Sequence, residues 1–335
     1  MLASLVDFKS AAENRKASGL HAVEICAGAG GQALGLERAG FGHAALVEID
    51  PHAKATLKLN RPDWSVAVNG DARQFCGHSY AGVDLFAGGV PCPPFSKAGK
   101  QMGEADDRDL FPEALRLIAE MRPKTIMLEN VRGLLDPIFA DYRGRIGDSL
   151  AKLGYAASWK LLHACDFGVS QLRPRVICVA IRSDLAGGFT WPERLAPPPS
   201  VGDLLFDLMS ERGWKGAQAW RDAANRISPT IVGGSKKHGG ADLGPSRARK
   251  AWADLGVAGH SLADAAPDPD FAGMPRLTLR MIARLQGFPD DWNFSGGKTA
   301  AYRQIGNAFP PPVAMAVGKQ IRACLEAAEA TKIAA

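Results

Sequence analysis

From Leu20 onward the chain alternates short apolar runs with stretches whose apolar positions recur at helical spacing. Ala22 to Cys26 reads as a strand, Gly28 to Gly31 as a tight glycine turn, and Gln32 to Ala39 as a helix stopped by Gly40. Ala44 to Ile49 is a second strand, and Pro51 to Asn60 a second helix with Asp50 as its cap. Ser65 to Val68 reads as a third strand, ending at Asn69-Gly70-Asp71, and Val83 to Ala87 as a fourth. Leu110, Ala114, Leu117 and Ile118 fall on one face of a helix running to Met121. Thr125 to Leu128 follows as a strand, Leu134 to Leu153 as largely helical, and Val176 to Ile181 as a late strand of β-branched residues. An alternation of this kind predicts a doubly wound α/β domain with a mostly parallel sheet.

The rhythm weakens near Phe189. Between Trp191 and Pro275, prolines, glycines and isolated charges replace the alternation, with Pro197-Pro198-Pro199 and Pro267-Asp268-Pro269-Asp270 as loop or boundary signals. The helical pattern returns from Leu277, and Val313 to Leu325 reads as an amphipathic final helix. This predicts a catalytic domain of residues 1–186 and 288–335, its last helix returning to the sheet, with a smaller domain of 187–287 inserted.

Composition narrows the class. At 335 residues, 46% hydrophobic and 22% charged, the chain can bury a large core and has the make-up of an ordinary globular protein. No apolar run reaches 18 residues, so no transmembrane helix is expected, and the start lacks a secretory pattern. The six cysteines are scattered without a Cys-x-x-Cys, which predicts a reducing compartment and no zinc or disulfide framework. A net charge of +5 permits a polyanionic partner. Between Arg226 and Lys250, six Lys/Arg face the single acid Asp242, so the excess is concentrated there.

Candidate chemistry sits at the strand ends. The fourth strand runs into Gly88-Gly89-Val90-Pro91-Cys92-Pro93-Pro94-Phe95-Ser96, where prolines hold one thiol on a stiff turn that can be neither helix nor central strand. The glycine turn between strand and helix, with Glu48 ending the next strand 20 residues after Gly28, predicts a site for an adenosine-containing cofactor. Glu129-Asn130-Val131 puts a carboxylate directly after a strand. Gln171-Leu172-Arg173-Pro174-Arg175 points two arginines the same way in an extended segment, and Gly306-Asn307-Ala308 opens a turn before the last helix.

Taken in order, these blocks resemble the DNA (cytosine-5)-methyltransferase family, from about Val23 to Ile321, as does Arg276 to Asp290. The resemblance implies a Rossmann-like, S-adenosylmethionine (SAM)-dependent fold with a target-recognition domain at 187–287, and methylation at C5 of a flipped cytosine in a specific duplex sequence. It implies Cys92 as the nucleophile that adds to C6, Glu129 as the donor at N3, and Arg173 and Arg175 around O2. The cofactor contacts it implies are Cys26, Ala27, Gly28, Gly30, Gly31, Glu48, Ile49, Asp71, Pro91, Asn307 and Ala308. Two positions depart from the family pattern: Cys26 stands where an aromatic commonly stacks on adenine, and Pro93 where a glutamine usually follows the nucleophile.

Double-stranded DNA is the partner this implies, met by Ser96, Lys97, Lys100, Gln171, Arg226, Lys236, Lys237, Arg247 and Arg249. No metal is expected. The implied setting is a monomeric, cytoplasmic and nucleoid-associated enzyme, with the presence of a cognate restriction endonuclease left open by the sequence. The alternative within the family is a tRNA cytosine-5 methyltransferase, disfavoured because that branch's Cys-Phe-Thr tripeptide is not present. A catalytically dead DNA-binding regulator would not need intact Cys92, Glu129 and the arginine pair. An NAD-dependent oxidoreductase would explain the glycine turn but not the cysteine turn.

Overall fold

The computed structural model describes residues 19–91, 109–185, 188–234 and 240–334. Six strands form its sheet: β1 (Leu20–Ile25), β2 (Phe41–Val47), β3 (Leu85–Gly89), β4 (Thr125–Val131), β5 (Tyr155–His163) and β6 (Pro174–Arg182), in the order β2-β1-β3-β4-β6-β5. The first four run parallel, while β6 runs antiparallel to both β4 and β5.

Strand alternation divides the sheet's two faces. Ala22, Leu85, Ala87, Met127, Ile177 and Val179 pack on one side against α1 (Gly31–Arg38) and against Val313, Val317 and Ile321 of the last helix, Pro311–Ala334. Val23, Ile25, Phe86, Ile126, Leu128, Cys178 and Ala180 point the other way. They meet Ala114, Leu117 and Ile118 of the helix Phe111–Met121, and Ile146 and Leu150 of the helix Ala140–Lys152. Period-2 strands with both faces apolar require helices on both sides, which is the doubly wound arrangement. The final helix packs back against the sheet. The helix α2 (Pro51–Asn60) begins at Asp50, whose Oδ1 accepts the His52 and Ala53 amides at 2.9 and 3.2 Å, and Pro51 needs no partner at that first position.

Two sequence expectations change. Residues 65–68 form only an isolated bridge, Leu46 to Val66, because Asn69-Gly70 ends the run and Val68 is left exposed. The strand Tyr155–His163 was not anticipated: it is an edge strand with a mostly solvated face, so its apolar periodicity is weak.

Residues 201–308 build a separate core, in which Trp214, Trp220 and Trp252 meet Met281, Ile282 and Leu285. Phe288, Trp292, Tyr302 and Ile305 belong to the same cluster, so apolar packing continues across position 287. Four helices contribute to it, Val201–Ser210, Ala217–Ala223, Ser246–Ala253 and Leu279–Leu285, and the segments between them supply the rest. The helix Lys298–Asn307 and the turn after it lead from this core back toward the sheet. No described helix is long and apolar enough to cross a membrane.

Candidate active site

The carboxyl ends of β1 to β4 open on a cavity of about 260 Å³. In the strand order β2-β1-β3-β4, the order of connection reverses between β1 and β3, and ligands bind at such a switch point. Of the expected cofactor residues, Cys26, Ala27, Gly28, Gly31, Glu48, Asn307 and Ala308 line it. Glu48 holds the turn in shape: its Oε2 accepts the Gly28 amide and its Oε1 the Asp50 amide, both at 2.7 Å. Burial pushes the Glu48 carboxyl up, and these amides oppose the shift. Gly31 is required by close approach, since a Cβ there would run into the Phe309 carbonyl oxygen and lie 3.1 Å from the Ala308 Cβ.

Four expected contacts fall outside the cavity lining. A Cβ on Gly30 would meet Leu57 and Trp292 at 2.8 and 3.0 Å, so this glycine serves packing beneath the turn. Ile49 projects into solvent at 67% exposure. Asp71 caps its own turn, accepting the Arg73 amide at 3.0 Å and pairing with the Arg73 guanidinium at 3.6 Å. Pro91 is exposed at the end of a described segment.

Glu24 and Gln32 are buried polar residues of the cavity that sequence reasoning missed. Glu24 is 1% exposed and its Oε2 has no partner among the described residues, while Gln32 is 3% exposed with neither amide atom bonded among them. Burial, then repulsion from Glu48, raises the Glu24 carboxyl well above the usual range. The available signal was a carboxylate inside an apolar strand and an amide at the first turn of a buried helix. Ala29, Asp50, Ala53, Arg303, Gln304 and Phe309 complete the lining with Gly89 and Glu129.

Glu129 marks the reactive end. It pairs in register with Gly89 of β3 and Ile177 of β6, which brings it beside the strand leading to Cys92. Its Oε1 lies 2.7 Å from Nε of Arg175, both side chains being largely buried. Burial raises its carboxyl above the ordinary value; Arg175 and Arg173 oppose that shift without cancelling it. Asn130 donates from Nδ2 to the Val90 carbonyl at 2.7 Å and so pins the chain two residues before Cys92. Cys92 itself, with Ser96, Lys97, Lys100, Lys236 and Lys237, lies outside the described residues.

Arg173 and Gln171 do not do what was expected of them. Arg173 is fully buried; its Nη1 donates to Ile231 O at 2.8 Å and its Nη2 to Gly306 O and Ala308 O at 2.8 and 2.9 Å. Its two Nη atoms are spent on main-chain carbonyls, its Nε has no partner among the described residues, and Arg175 is the arginine paired with Glu129. Gln171 is also fully buried: it donates to Leu285 O and Gln286 Oε1 at 3.1 and 2.8 Å and accepts the Ile231 amide at 2.9 Å. It therefore braces the interior and does not face DNA. The sequence showed two parallel arginines but not that Pro174 begins β6 between them, sending one inward among loops and the other to the rim.

Arg226, Arg247 and Arg249 are exposed, and Arg226 donates to Asp254 O at 3.0 Å. Burial raises the thiols of Cys26, Cys165, Cys178 and Cys324, that of Cys26 to about 12, so none of these four is prepared as a nucleophile.

The fold and crevice define a Rossmann-like α/β methyltransferase architecture, with a buried carboxyl–arginine pair at the mouth of a cofactor-sized cavity. A sequence model of the C-5 cytosine-specific DNA methylase family matches residues 20–323. The chain belongs to this family and is a DNA (cytosine-5)-methyltransferase. It is 59% identical over 307 residues to the type II methyltransferase M.NgoMIV of Neisseria gonorrhoeae, covering 89% of this chain and 96% of the relative. It is 57% identical over 312 residues to the type II methyltransferase M.NaeI of Lentzea aerocolonigenes, covering 91% and 75%. Among solved structures, a mutant of Spodoptera frugiperda DNMT2 shares the fold with a TM-score of 0.65 at 18% identity, covering 90% of this chain and 99% of that one.

Proposed function

We propose that this methyltransferase takes its methyl group from SAM held in the β1–β4 crevice, and passes it to C5 of a cytosine flipped from duplex DNA. The observation that carries this reading is the shared cavity: Glu129 lines the same space as the glycine turn and Glu48. SAM fits the donors present. A zwitterionic, hydroxyl-bearing ligand needs buried polar partners, and Glu24 Oε2 and both Gln32 amide atoms are without one. Glu48, Gln32, Asn307 and the amides of the turn would hold it; when bound it supplies an electrophilic methyl group.

This chain's own residues supply the rest. Cytosine C5 is a weak nucleophile until the ring is activated. The Cys92 thiolate adds to C6, and the electron pair moves through the ring onto N3 and O2. Glu129, its carboxyl raised by burial, donates a proton or hydrogen bond at N3, and Arg175 stabilises the charge at O2. Once C5 carries the methyl group, a base removes the C5 proton, the C–H electron pair re-forms the C5–C6 double bond, and the C6–S bond breaks to release the Cys92 thiolate.

In this reading the 187–287 region finds the sequence, with Lys236 and Lys237 on phosphates and an exposed arginine among Arg226, Arg247 and Arg249 on a guanine edge. The type II relatives support modification of host DNA alongside a cognate endonuclease. A duplex carrying 5-fluorocytosine at the target should trap a covalent adduct, because no C5 proton can leave. The Cys92→Ala protein should bind SAM and form no adduct; adduct formation by that variant would sink the assignment. Binding of labelled NAD instead of labelled SAM would return the crevice to the oxidoreductase reading.

A further inference from the structure

Arg173 lies at the centre of a buried polar cluster that joins two parts of the molecule with different tasks. On one side is the segment 228–234, which runs alongside the entry to β6: Leu172 N donates to Ser228 O at 2.8 Å and Ser228 N to Ser170 O at 2.9 Å. On the other is the turn 306–308, whose Asn307 and Ala308 form a wall of the cavity. The Arg173 guanidinium bonds both, through Ile231 O on the first side and Gly306 O and Ala308 O on the second. Gln286 Nε2 adds a second bond to Ala308 O at 2.6 Å, and Gln286 is bonded in turn to Gln171, which accepts the Ile231 amide.

Below this clamp the two segments touch backbone to backbone. A Cβ on Gly306 would lie 2.5 Å from both N and Cα of Gly233, and a Cβ on Gly233 would lie 2.5 Å from Oδ1 of Asn307. Asn307 Nδ2 also donates to Gly234 O at 3.2 Å. The wall cannot shift without moving the segment, because a buried guanidinium that loses one carbonyl has no water to replace it.

We propose that Arg173, with the Gly233–Gly306 contact beneath it, is a positioning element that makes occupancy of the cofactor cavity and binding of duplex DNA favour one another. The inference rests on the reading above, in which the crevice holds the cofactor and 187–287 meets DNA. Filling the cavity holds Asn307 and Ala308 in place; the clamp transmits that placement to 231–234, from which the chain continues to Lys236 and Lys237. Coupling of this kind is reciprocal, so DNA tightens the cofactor by the factor by which the cofactor tightens DNA.

The test uses the full chain and S-adenosylhomocysteine (SAH), which binds without turnover, titrated by calorimetry with and without a saturating duplex carrying the methylated site. The parent should bind SAH more tightly on DNA by about 5- to 150-fold, the usual span of such coupling. Gly306→Ala inserts a methyl between the segments in a helical position that accepts alanine. It should bring the factor to within about twofold of unity, while SAH affinity without DNA stays within about threefold, both by the reasoning for uncoupled sites. Arg173→Lys, which loses the planar fork, should uncouple in the same direction. A factor unchanged in folded Gly306→Ala overturns the proposal and leaves the function standing. A parent that shows no coupling overturns it as well. A parent that binds no SAH overturns the reading of the crevice itself. Should Arg173→Lys fail to fold, Gly306→Ala alone decides.

Discussion

Replacing Glu129 by glutamine separates the two contributions of that carboxyl, and activity and stability should then move in opposite directions. Glu129 is buried, lines the cavity, and lies 2.7 Å from Arg175. Glutamine keeps the shape and the acceptor oxygen for Arg175, but cannot deliver a proton to N3. Loss of a placed general acid lowers the rate by ~10²-fold or more, which is about 2.7 kcal/mol of transition-state stabilisation. Stability follows from the direction of the shift. Burial outweighs the two arginines and raises the carboxyl, so the folded protein binds its proton more tightly than the unfolded chain does. The favourable contribution is therefore complete below the unfolded value and is lost as pH rises through the folded one. Above that window the ionised carboxylate is a net burden that glutamine does not carry. Glu129→Gln should thus melt at the same temperature as the parent or higher at pH 8, with the difference shrinking toward pH 4. Single-turnover methylation of a tritium-labelled duplex and calorimetric melting at the two pH values provide both measurements. An unchanged turnover rate would show that another group serves N3. A variant less stable at pH 8 than at pH 4, relative to the parent, would show that attraction to Arg175 outweighs burial.

Gln32→Leu removes two unpartnered buried atoms, so the ligand-free protein should gain about 1–3 kcal/mol while SAH affinity falls about tenfold, the value of one lost net hydrogen bond; tighter SAH binding by calorimetry would refute a ligand role. Cys26→Phe puts an aromatic face on the cavity and should tighten SAH by a few-fold to about tenfold if it stacks on adenine. The backbone there has φ of 53°, so weaker binding together with a lower melting point would show that strain at this position wins. Changing Lys236 and Lys237 together to alanine should weaken every duplex alike and flatten the salt dependence by roughly two phosphate equivalents; a loss confined to the cognate site would mean that the pair reads bases.

The sequence by itself determined the layered fold, because period-2 runs alternating with period-3.6 helices have few ways to bury both faces of a sheet. It also placed the glycine turn, Glu48, Glu129 and Arg175 at strand ends, since the residue after a buried run must emerge at the rim. Tertiary structure alone decided the fate of side chains whose partners are far along the chain. Arg173 and Arg175 look alike in sequence, yet one points its two Nη atoms at Ile231, Gly306 and Ala308 while the other meets Glu129. Gln171 turned inward for the same reason: the donor it accepts from lies on residue 231 and the acceptors it donates to on 285 and 286. Gly30 and Gly31 are neighbours of equal conformational freedom, but one rests on Trp292 and the other opens on the cavity beside Ala308. Glu24 and Gln32 were hidden by their setting, since a polar residue in a buried element shows its purpose only when the space it faces is seen. Hydrophobic periodicity is a local quantity and can be read along one chain; hydrogen-bond satisfaction is a property of contacts between distant segments, which exist only once the chain has folded.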